Sequence, residues 1–481
     1  MAYLHGVEVI QVSAGAKPVT VVTSAIIALI SVAPFGNSNE LILVQNEEQA
    51  AQFGIAHPLN YMRRNLSQIF AQGSATVVCV NVFDPSNHVE AITNDQQGVR
   101  GGKIRLAGLY LQDGSLEITT TGGSPVTLVD GTDYEYNPDT QVVTILNNSA
   151  YPDTTLLKCE YNSVTSDLTD ISDSEIIGTV SGSGVRTGLK LLDSCESRFG
   201  FVPRIIISPW FSERPAVATE MIARATYNRS HAIIDAKKGA SVSDVLIGRG
   251  STAGDVKNFY TSSKRAILAY LWVREALPYV LDNAEGELVP MSAFLAGAMA
   301  VKDNTRGFWY SVDNTPILGI IGAENVLTFK LGDPNTETNL VNGAGITTIA
   351  TRYGSGFVFW GGRSAAFPTN TDIDNFVCVR RAADIIEDSL QQASAQFIGQ
   401  PLNKALRDDI RATGNAFLRT LQAQGAIIDG DVKDLDADNP DTELAQGRLV
   451  LRVSFLPPAP LERLTYKSFL DISLYSTTSA Q

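Results

Sequence analysis

The chain has 481 residues, 44% of them hydrophobic and only 18% charged, and 51 acids against 37 bases leave a net charge of −14. That length exceeds what one hydrophobic core serves, and the apolar content excludes a disordered chain, so several packed domains are expected. The acidic balance, with no basic run longer than Lys237-Lys238 or Arg380-Arg381, argues against a nucleic-acid partner, which requires a concentrated cationic face.

Taken in order, residues 1–17 carry a short strand pattern, Val7, Glu8, Val9, Ile10, Gln11, Val12, on a Ser-Ala-Gly-Ala tether. Val19 to Val32 is rich in β-branched residues, and Leu41 to Val44 reads as the next strand. Glu47 to Phe53 and Leu59 to Gln72 read as helices. The apolar run Ala75 to Val82 is expected at the centre of a sheet. The longest apolar run, Ala25 to Ala33, is too short to span a bilayer, and the N-terminus lacks a basic leader region, so neither a membrane nor a signal peptide is expected.

From about Gly98 to Ser163 the texture changes to short strands separated by Gly, Asp, Asn and Thr clusters. Leu116 to Thr120, Val126 to Val129, Tyr134 to Tyr136, Val142 to Leu146 and Leu156 to Tyr161 are the expected strands, with a turn at Asn137-Pro138-Asp139. This marks residues 98–163 as an inserted, surface-exposed β domain, with 18–97 and 164–370 forming one α/β body around it. The α/β rhythm resumes with a helix at Leu189 to Phe199, a strand at Arg204 to Ser208, a helix at Glu213 to Tyr227, and strands at His231 to Asp235 and Ile267 to Val273. A helix at Met291 to Val301, the aromatic cluster Phe308, Trp309, Tyr310, the apolar Ile317 to Ile321 and a strand at Phe357 to Arg363 complete the body.

Residues 371–460 read as a C-terminal α/β domain. Val379, Ala383, Ile386, Leu390, Ala393 and Phe397 form one apolar helical stripe, and Leu402, Leu406, Ile410, Thr413, Phe417 and Leu421 form a second, with Pro401 in its first turn. In a strand at Arg448 to Phe455, Leu449, Leu451, Val453 and Phe455 alternate with Val450, Arg452 and Ser454. After the breaker Pro457-Pro458-Ala459-Pro460, residues 461–481 form a C-terminal arm. Its strand, Thr465 to Tyr475, places Leu470, Ile472 and Leu474 on one side. A strand beyond a stiff hinge at the chain end needs a partner sheet elsewhere, on its own domain or on another molecule.

The sequence carries little that points to catalytic chemistry. Gly182-Ser183-Gly184 with Gly188 lacks the spacing of a dinucleotide loop, and no phosphate-cradling GxxxxGK[ST] run exists. His5, His57, His88 and His231 are scattered. Cys79, Cys159, Cys195 and Cys378 lie far apart without CxxC spacing and read as reduced core residues. The acidic stretch Asp429, Asp431, Asp434, Asp436, Asp438, Asp441 lacks the turn glycine and bidentate glutamate of a calcium loop and reads as a solvated loop. Arg380-Arg381 reads as paired with Asp384 or Asp388. No cofactor and no metal is expected, and no enzymatic activity.

Several stretches together resemble the tail sheath proteins of contractile-tailed bacteriophages, a family that includes the sheaths of contractile bacteriocins and related injection machines. They are His5-Gly-Val-Glu-Val-Ile10, Ile206-Ile-Ser-Pro209, Asp303-Asn-Thr-Arg-Gly-Phe-Trp-Tyr-Ser311, Phe359-Trp-Gly-Gly-Arg363 and, most specifically, Phe376-Val-Cys-Val-Arg-Arg-Ala-Ala-Asp-Ile-Ile-Glu-Asp-Ser389. Where the family often carries WGNRT, this chain has Trp360-Gly361-Gly362-Arg363-Ser364.

The resemblance implies an α/β (α+β) multidomain subunit whose two arms each add a strand to neighbouring subunits, tying hexameric rings into a helical sleeve around a tail tube. The implied partners are further copies of itself, the tail tube protein, and baseplate and tail terminator proteins, in a virion tail assembled in the host cytoplasm. By that implication the arm strands are Val7, Val9, Ile10 and Val12 with Leu470, Ile472 and Leu474. Leu449, Leu451 and Val453 would receive them, and Lys404, Arg407, Asp408, Arg411 and Arg419 would face the tube. A homo-oligomeric α/β enzyme, or another phage structural protein, is the alternative reading of the same residues.

Overall fold

The computed structural model describes residues 17–54, 60–107, 111, 114–137, 142–164, 170–275 and 286–472. The arm positions Val7, Val9, Ile10, Val12 and Leu474 therefore lie outside the described residues, as do His5 and His57. The chain starts with β1 (Ile26–Ser31), β2 (Leu41–Val44), a four-residue helix α1 (Glu47–Ala50), α2 (Tyr61–Gln72) and β3 (Thr76–Asn81). β1 is buried along its whole length and β3 beyond its first residue, as strands covered on both faces by helices must be. Asn46 and Asn60 cap α1 and α2 by accepting from the backbone N–H of Gln49 and Arg63.

The inserted module follows as β4 (Val89–Gly98), β5 (Lys103–Arg105), β6 (Glu117–Thr120), β7 (Tyr134–Asn137), β8 (Val142–Ile145) and β9 (Leu156–Val164). They form two three-stranded antiparallel sheets, β4-β9-β6 and β5-β8-β7, over a separate core containing Val99, Ile104, Ile118, Val143, Leu157 and Tyr161. β4 begins at Val89, ahead of the boundary expected at Gly98, because it pairs with β9 from Val89↔Val164 to Gly98↔Leu156. The strand expected at Val126 to Val129 is reduced to one bridge, Thr119↔Thr127. Val126 and Val129 are exposed and have no sheet face to cover.

The chain then returns through α3 (Asp173–Ile177), α4 (Cys195–Phe199), β10 (Ile205–Ile207), α5 (Pro215–Tyr227), β11 (His231–Asp235), α6 (Val242–Gly250), β12 (Ala266–Ala269), β13 (Val273–Glu275), β14 (Glu287–Val289), α7 (Ser292–Thr305), β15 (Ile320–Ala323), α8 (Glu337–Gly343), β16 (Ile346–Arg352) and β17 (Gly356–Trp360). The large sheet has the order β17-β16-β12-β11-β10-β1-β3-β2, parallel from β16 to β3 with an antiparallel strand at each edge. β10 and β11, not β3, lie at its middle. β3 is next to the edge, its apolar run explained by burial alone. β13, β14 and β15 make a small antiparallel sheet beside Trp272.

The last elements are α9 (Val377–Ser394), α10 (Lys404–Ala423), β18 (Asp429–Asp434), a single helical turn α11 (Asp441–Leu444) and β19 (Leu451–Leu456). Two corrections apply here. Pro401 lies ahead of α10, which starts after Asn403, whose side chain accepts from the Leu406 N–H. The start of the acidic stretch is not a loop but β18, paired antiparallel with β19 from Asp429↔Leu456 to Asp434↔Leu451. Val19 and Val22 pack on the cluster of Ile385, Ile386, Phe417, Leu418, Leu421 and Val432. The start of the segment expected in the body thus lies on the C-terminal domain.

Candidate assembly surfaces

α9 packs Ala382, Ile385 and Ile386 with Phe417, Leu418 and Leu421 of α10, and is tied to the body by charge. Arg204, His231 and Arg265 stand at or just before the first residues of β10, β11 and β12, and α9 offers Asp384 and Asp388 to them, one turn apart on one face. Arg265 grips Asp384 with two nitrogens at 2.6 and 2.8 Å, and Arg380 adds a bond at 2.7 Å. Burial alone would raise the Asp384 carboxyl, but the bonds from Arg265 and the charges around it hold it below the ordinary range. His231 is fully buried beside this pair, and burial pushes its imidazole down to about 3, so it is neutral. Asp388 accepts from Arg204 and Arg229. Of the two arginines expected to pair with Asp384 or Asp388, Arg380 does so, while Arg381 turns inward to Asp303 of α7.

The hairpin β18-β19 lies against α10. Asn415 brackets Val432, accepting from its N–H at 2.9 Å and donating to its carbonyl at 3.0 Å. Gly414 faces Val432 so closely that an added Cβ would stand 2.9 Å from Val432 Cγ2. On β19, Leu451, Val453 and Phe455 share the inner face. Leu451 and Phe455 pack on the domain core, while Val453 remains 40% exposed and lines a cavity of about 120 Å³ with Val19, Leu390, Phe397 and Ile410. Leu449 is not in the strand. Asn439 accepts from Val450 N–H and donates to Val450 carbonyl, both at 2.8 Å, and this takes the chain out of the ladder before Leu451. Among the described residues no third strand joins this two-stranded sheet; the β18 edge is taken at Val432 by Asn415, which leaves the β19 edge open.

Of the positions expected to face a tube, Lys404, Arg411 and Arg419 are exposed on α10. Arg407 is half-buried and committed to Asp434 through bonds of 2.7 and 2.8 Å, which hold the Asp434 carboxyl below its ordinary range. Asp408 pairs with Arg411 at 2.9 Å. The acidic stretch is similarly occupied, Asp438 with Arg452 and Asp431 with Lys433. Among the described residues no three His, Cys, Asp or Glu side chains converge as metal ligands. No described helix is long and apolar enough to cross a membrane.

Both chain ends root on this part of the molecule. Lys17 N–H donates to Gln396 Oε1 at 2.7 Å, and Gln396 Nε2 returns a bond to Lys17 carbonyl at 3.1 Å. Val22 N–H donates to Ser389 Oγ. At the other end Pro457 is buried, and every residue from Leu461 to Ile472 is exposed, including Tyr466, Phe469, Leu470 and Ile472. No described residue of this extension is in a strand of its own subunit. That is what backbone and side chains suited to strand pairing look like without a partner.

An α/β sheet of this kind usually binds small molecules at the carboxyl ends of its strands, where the strand order reverses. Here that place, beside β1 and β10, is filled. Trp210 packs edge-on against Tyr61 and Trp272, each with centroids 5.1 Å away, and the Arg64 guanidinium lies 5.5 Å from the Trp210 ring. Arg64 is in turn paired with Glu275 and Glu287. At the end of β11, Asp235 is sealed by Ser212 Oγ, Ser292 Oγ and Ser292 N–H.

Residues 184–365 match the family model described as phage tail sheath protein central domain, and residues 370–470 match phage tail sheath C-terminal domain. The tail sheath protein of Burkholderia phage BcepMu is 36% identical over 469 residues, 97% of this chain and 96% of that protein. A putative prophage major tail sheath protein of Pseudomonas aeruginosa is 31% identical over 61% of this chain and 72% of its own length. The fold is similar to the PVC sheath complex of an extracellular contractile injection system in its contracted state, with a TM-score of 0.61 at 13% identity over 98% of this chain and 99% of that one. It is also similar to the contracted helical sheath of the anti-feeding prophage, with a TM-score of 0.60 at 15% identity over 98% and 100%. With two sheath domains in sequence and a relative matched from end to end, this chain belongs to the phage tail sheath family, as a structural subunit and not an enzyme.

Proposed function

We propose that the subunit polymerises as hexameric rings stacked helically around a tail tube, and that the sleeve contracts on a baseplate signal to drive the tube through a host envelope. The observation that carries this is the exposed C-terminal extension that follows β19, in a subunit whose β19 edge has no strand partner among the described residues. An extended segment and an unpaired sheet edge are complementary, and strand addition satisfies both. A strand of about eight residues makes roughly four to five backbone bonds worth about 0.5–1.5 kcal/mol each, so one arm contributes several kcal/mol per contact. Residues 1–16 supply the second arm, and Lys404, Arg411 and Arg419 are the cations offered to a tube. No hydrolysis is needed, because the work is stored as the difference between two packings of one subunit. Tube, baseplate and tail terminator proteins are the partners, in a tail assembled in the host cytoplasm.

Electron microscopy of purified protein tests the reading. The full chain is expected to form tubes or sleeves, and a chain lacking Leu461 to Gln481 is expected to stay folded and dispersed. Cysteines at Ser454 and Ile472 should crosslink between chains. Crosslinks confined within one chain would refute strand exchange.

A further inference from the structure

Arg363 occupies an unusual position for a cation at the surface. Its guanidinium carbon lies 4.2 Å from the Phe367 ring centroid and 4.1 Å from that of Phe376, so both faces are covered. Phe376 is held there by a backbone bridge to Arg363 itself. Nη1 donates to Asn375 Oδ1 at 2.7 Å, and the fully buried Asn375 donates onward to Asn370 carbonyl at 3.2 Å. This fixes the guanidinium before any partner arrives, and leaves the fork of Nε and Nη2 facing outward. That fork holds Glu462, with Nε at 2.7 Å from Oε1 and Nη2 on Oε2. Glu462 is the second residue of the exposed extension, just past Pro460.

An ordinary exposed ion pair does little, since two long side chains lose the freedom that the charge contact returns. Here one partner is already immobilised and the contact is two-pronged, so the loss falls on Glu462 alone. What the pair fixes is a direction. Pro457 to Pro460 limit the backbone, and Arg363 pins the second residue beyond them, so the extension leaves the subunit along one line instead of sweeping a cone.

We infer that Arg363 is a positioning residue for assembly: by clamping Glu462 it aims the C-terminal arm at the neighbouring subunit, without itself lying in the strand contact. This rests on the proposed exchange of arms. Freeing the root makes every arm search more orientations before it docks, and that cost appears as a higher concentration for polymerisation.

The test compares full-length variants by light scattering, microscopy and monomer melting. Glu462→Arg and Glu462→Gln should melt as wild type yet raise the threshold concentration for tubes about tenfold, the equivalent of about 1.4 kcal/mol in docking. Arg363→Glu should do the same, and the double swap with Glu462→Arg should return the threshold towards wild type. Arg363→Glu places a carboxylate between two rings, so Arg363→Lys is measured beside it. It keeps the charge, loses the fork, and should fall between. The chain lacking Leu461 to Gln481 separates the two ideas. If it polymerises normally, arm exchange itself is wrong. If it fails while Glu462→Arg assembles at the wild-type threshold, only the aiming role of Arg363 is overturned.

Discussion

Arg381 of α9 and Asp303 of α7 meet as a buried two-pronged ion pair, with Nη1 3.0 Å from Oδ1 and Nη2 on Oδ2, and side-chain exposures of 4% and 0%. The pair joins the two stretches that match separate sheath domains, so the boundary between those domains is bridged from the inside. Removing one member strands the other charge in apolar surroundings. Arg381→Met or Asp303→Leu is expected to cost about 3–5 kcal/mol in chemical unfolding, and the double variant much less than their sum. Additive losses would show that the two residues act separately.

Arg249 of α6 gathers five backbone carbonyls: Ala344, Phe259, Thr261, Ala365 and Phe367. These belong to the approaches to β12 and β16 and to the turn after β17, so one guanidinium closes the corner where these chain segments meet. Lysine has three donors on a mobile tip and cannot reproduce the fork. Arg249→Lys should destabilise by about 3 kcal/mol or more, each bond to a charged group counting about 1.5–3 kcal/mol. Urea unfolding monitored by tryptophan fluorescence measures it.

Asp235 gives a pH signature. Burial pushes its carboxyl from 3.8 up to about 6, with Ser292 and Ser212 acting downward and Glu213 upward. The folded chain thus binds this proton more tightly than the unfolded one. The resulting stability is complete below the unfolded value and lost as pH rises through the folded one. Asp235→Asn removes that dependence. The stability difference, wild type minus variant, should fall by about 3 kcal/mol between about pH 3 and about pH 7. A difference that stays flat or rises would contradict the assignment.

Glu90 and Ser163 face each other directly across β4 and β9, so the inserted module enters and leaves at one point about 5 Å wide. Replacing residues 91–162 by a short Gly/Ser linker should leave the remaining fold and tube formation intact, because among the described residues its core and the main one have no residue in common. Circular dichroism, melting and microscopy decide it. An unfolded remainder would make the module structural.

The sequence was most legible where burial is one-sided and long. The stripes of α9 and α10 lie within a few residues of their expected limits, since eighteen or more residues of 3.6 periodicity leave little ambiguity. β18 was not legible. Asp429, Asp431 and Asp434 are poor strand formers, and what makes the segment a strand is Asn415 bracketing Val432 from another element. β16 and α6 escaped as well, the first because Thr347, Thr348 and Thr351 break up its apolar run, the second because it is weakly amphipathic. At the candidate surfaces, the alternation of the arm predicts a strand that its described residues do not form within their own subunit. The anchorage of the arm was not legible, because the Arg363–Glu462 contact spans 99 positions.

A subunit carrying Tyr466, Phe469, Leu470 and Ile472 in the open is an adhesive that must be kept in solution until it is used. The net charge of −14 gives each copy a reason to avoid the next, over a range of about 10 Å at 0.1 M salt. Growth onto an existing template, where many contacts form at once, overcomes that repulsion. At low ionic strength a chance meeting of two free copies does so rarely, and the purified protein assembles only where concentration or salt offsets the charge. Ionic strength then shifts the concentration at which free copies start to polymerise.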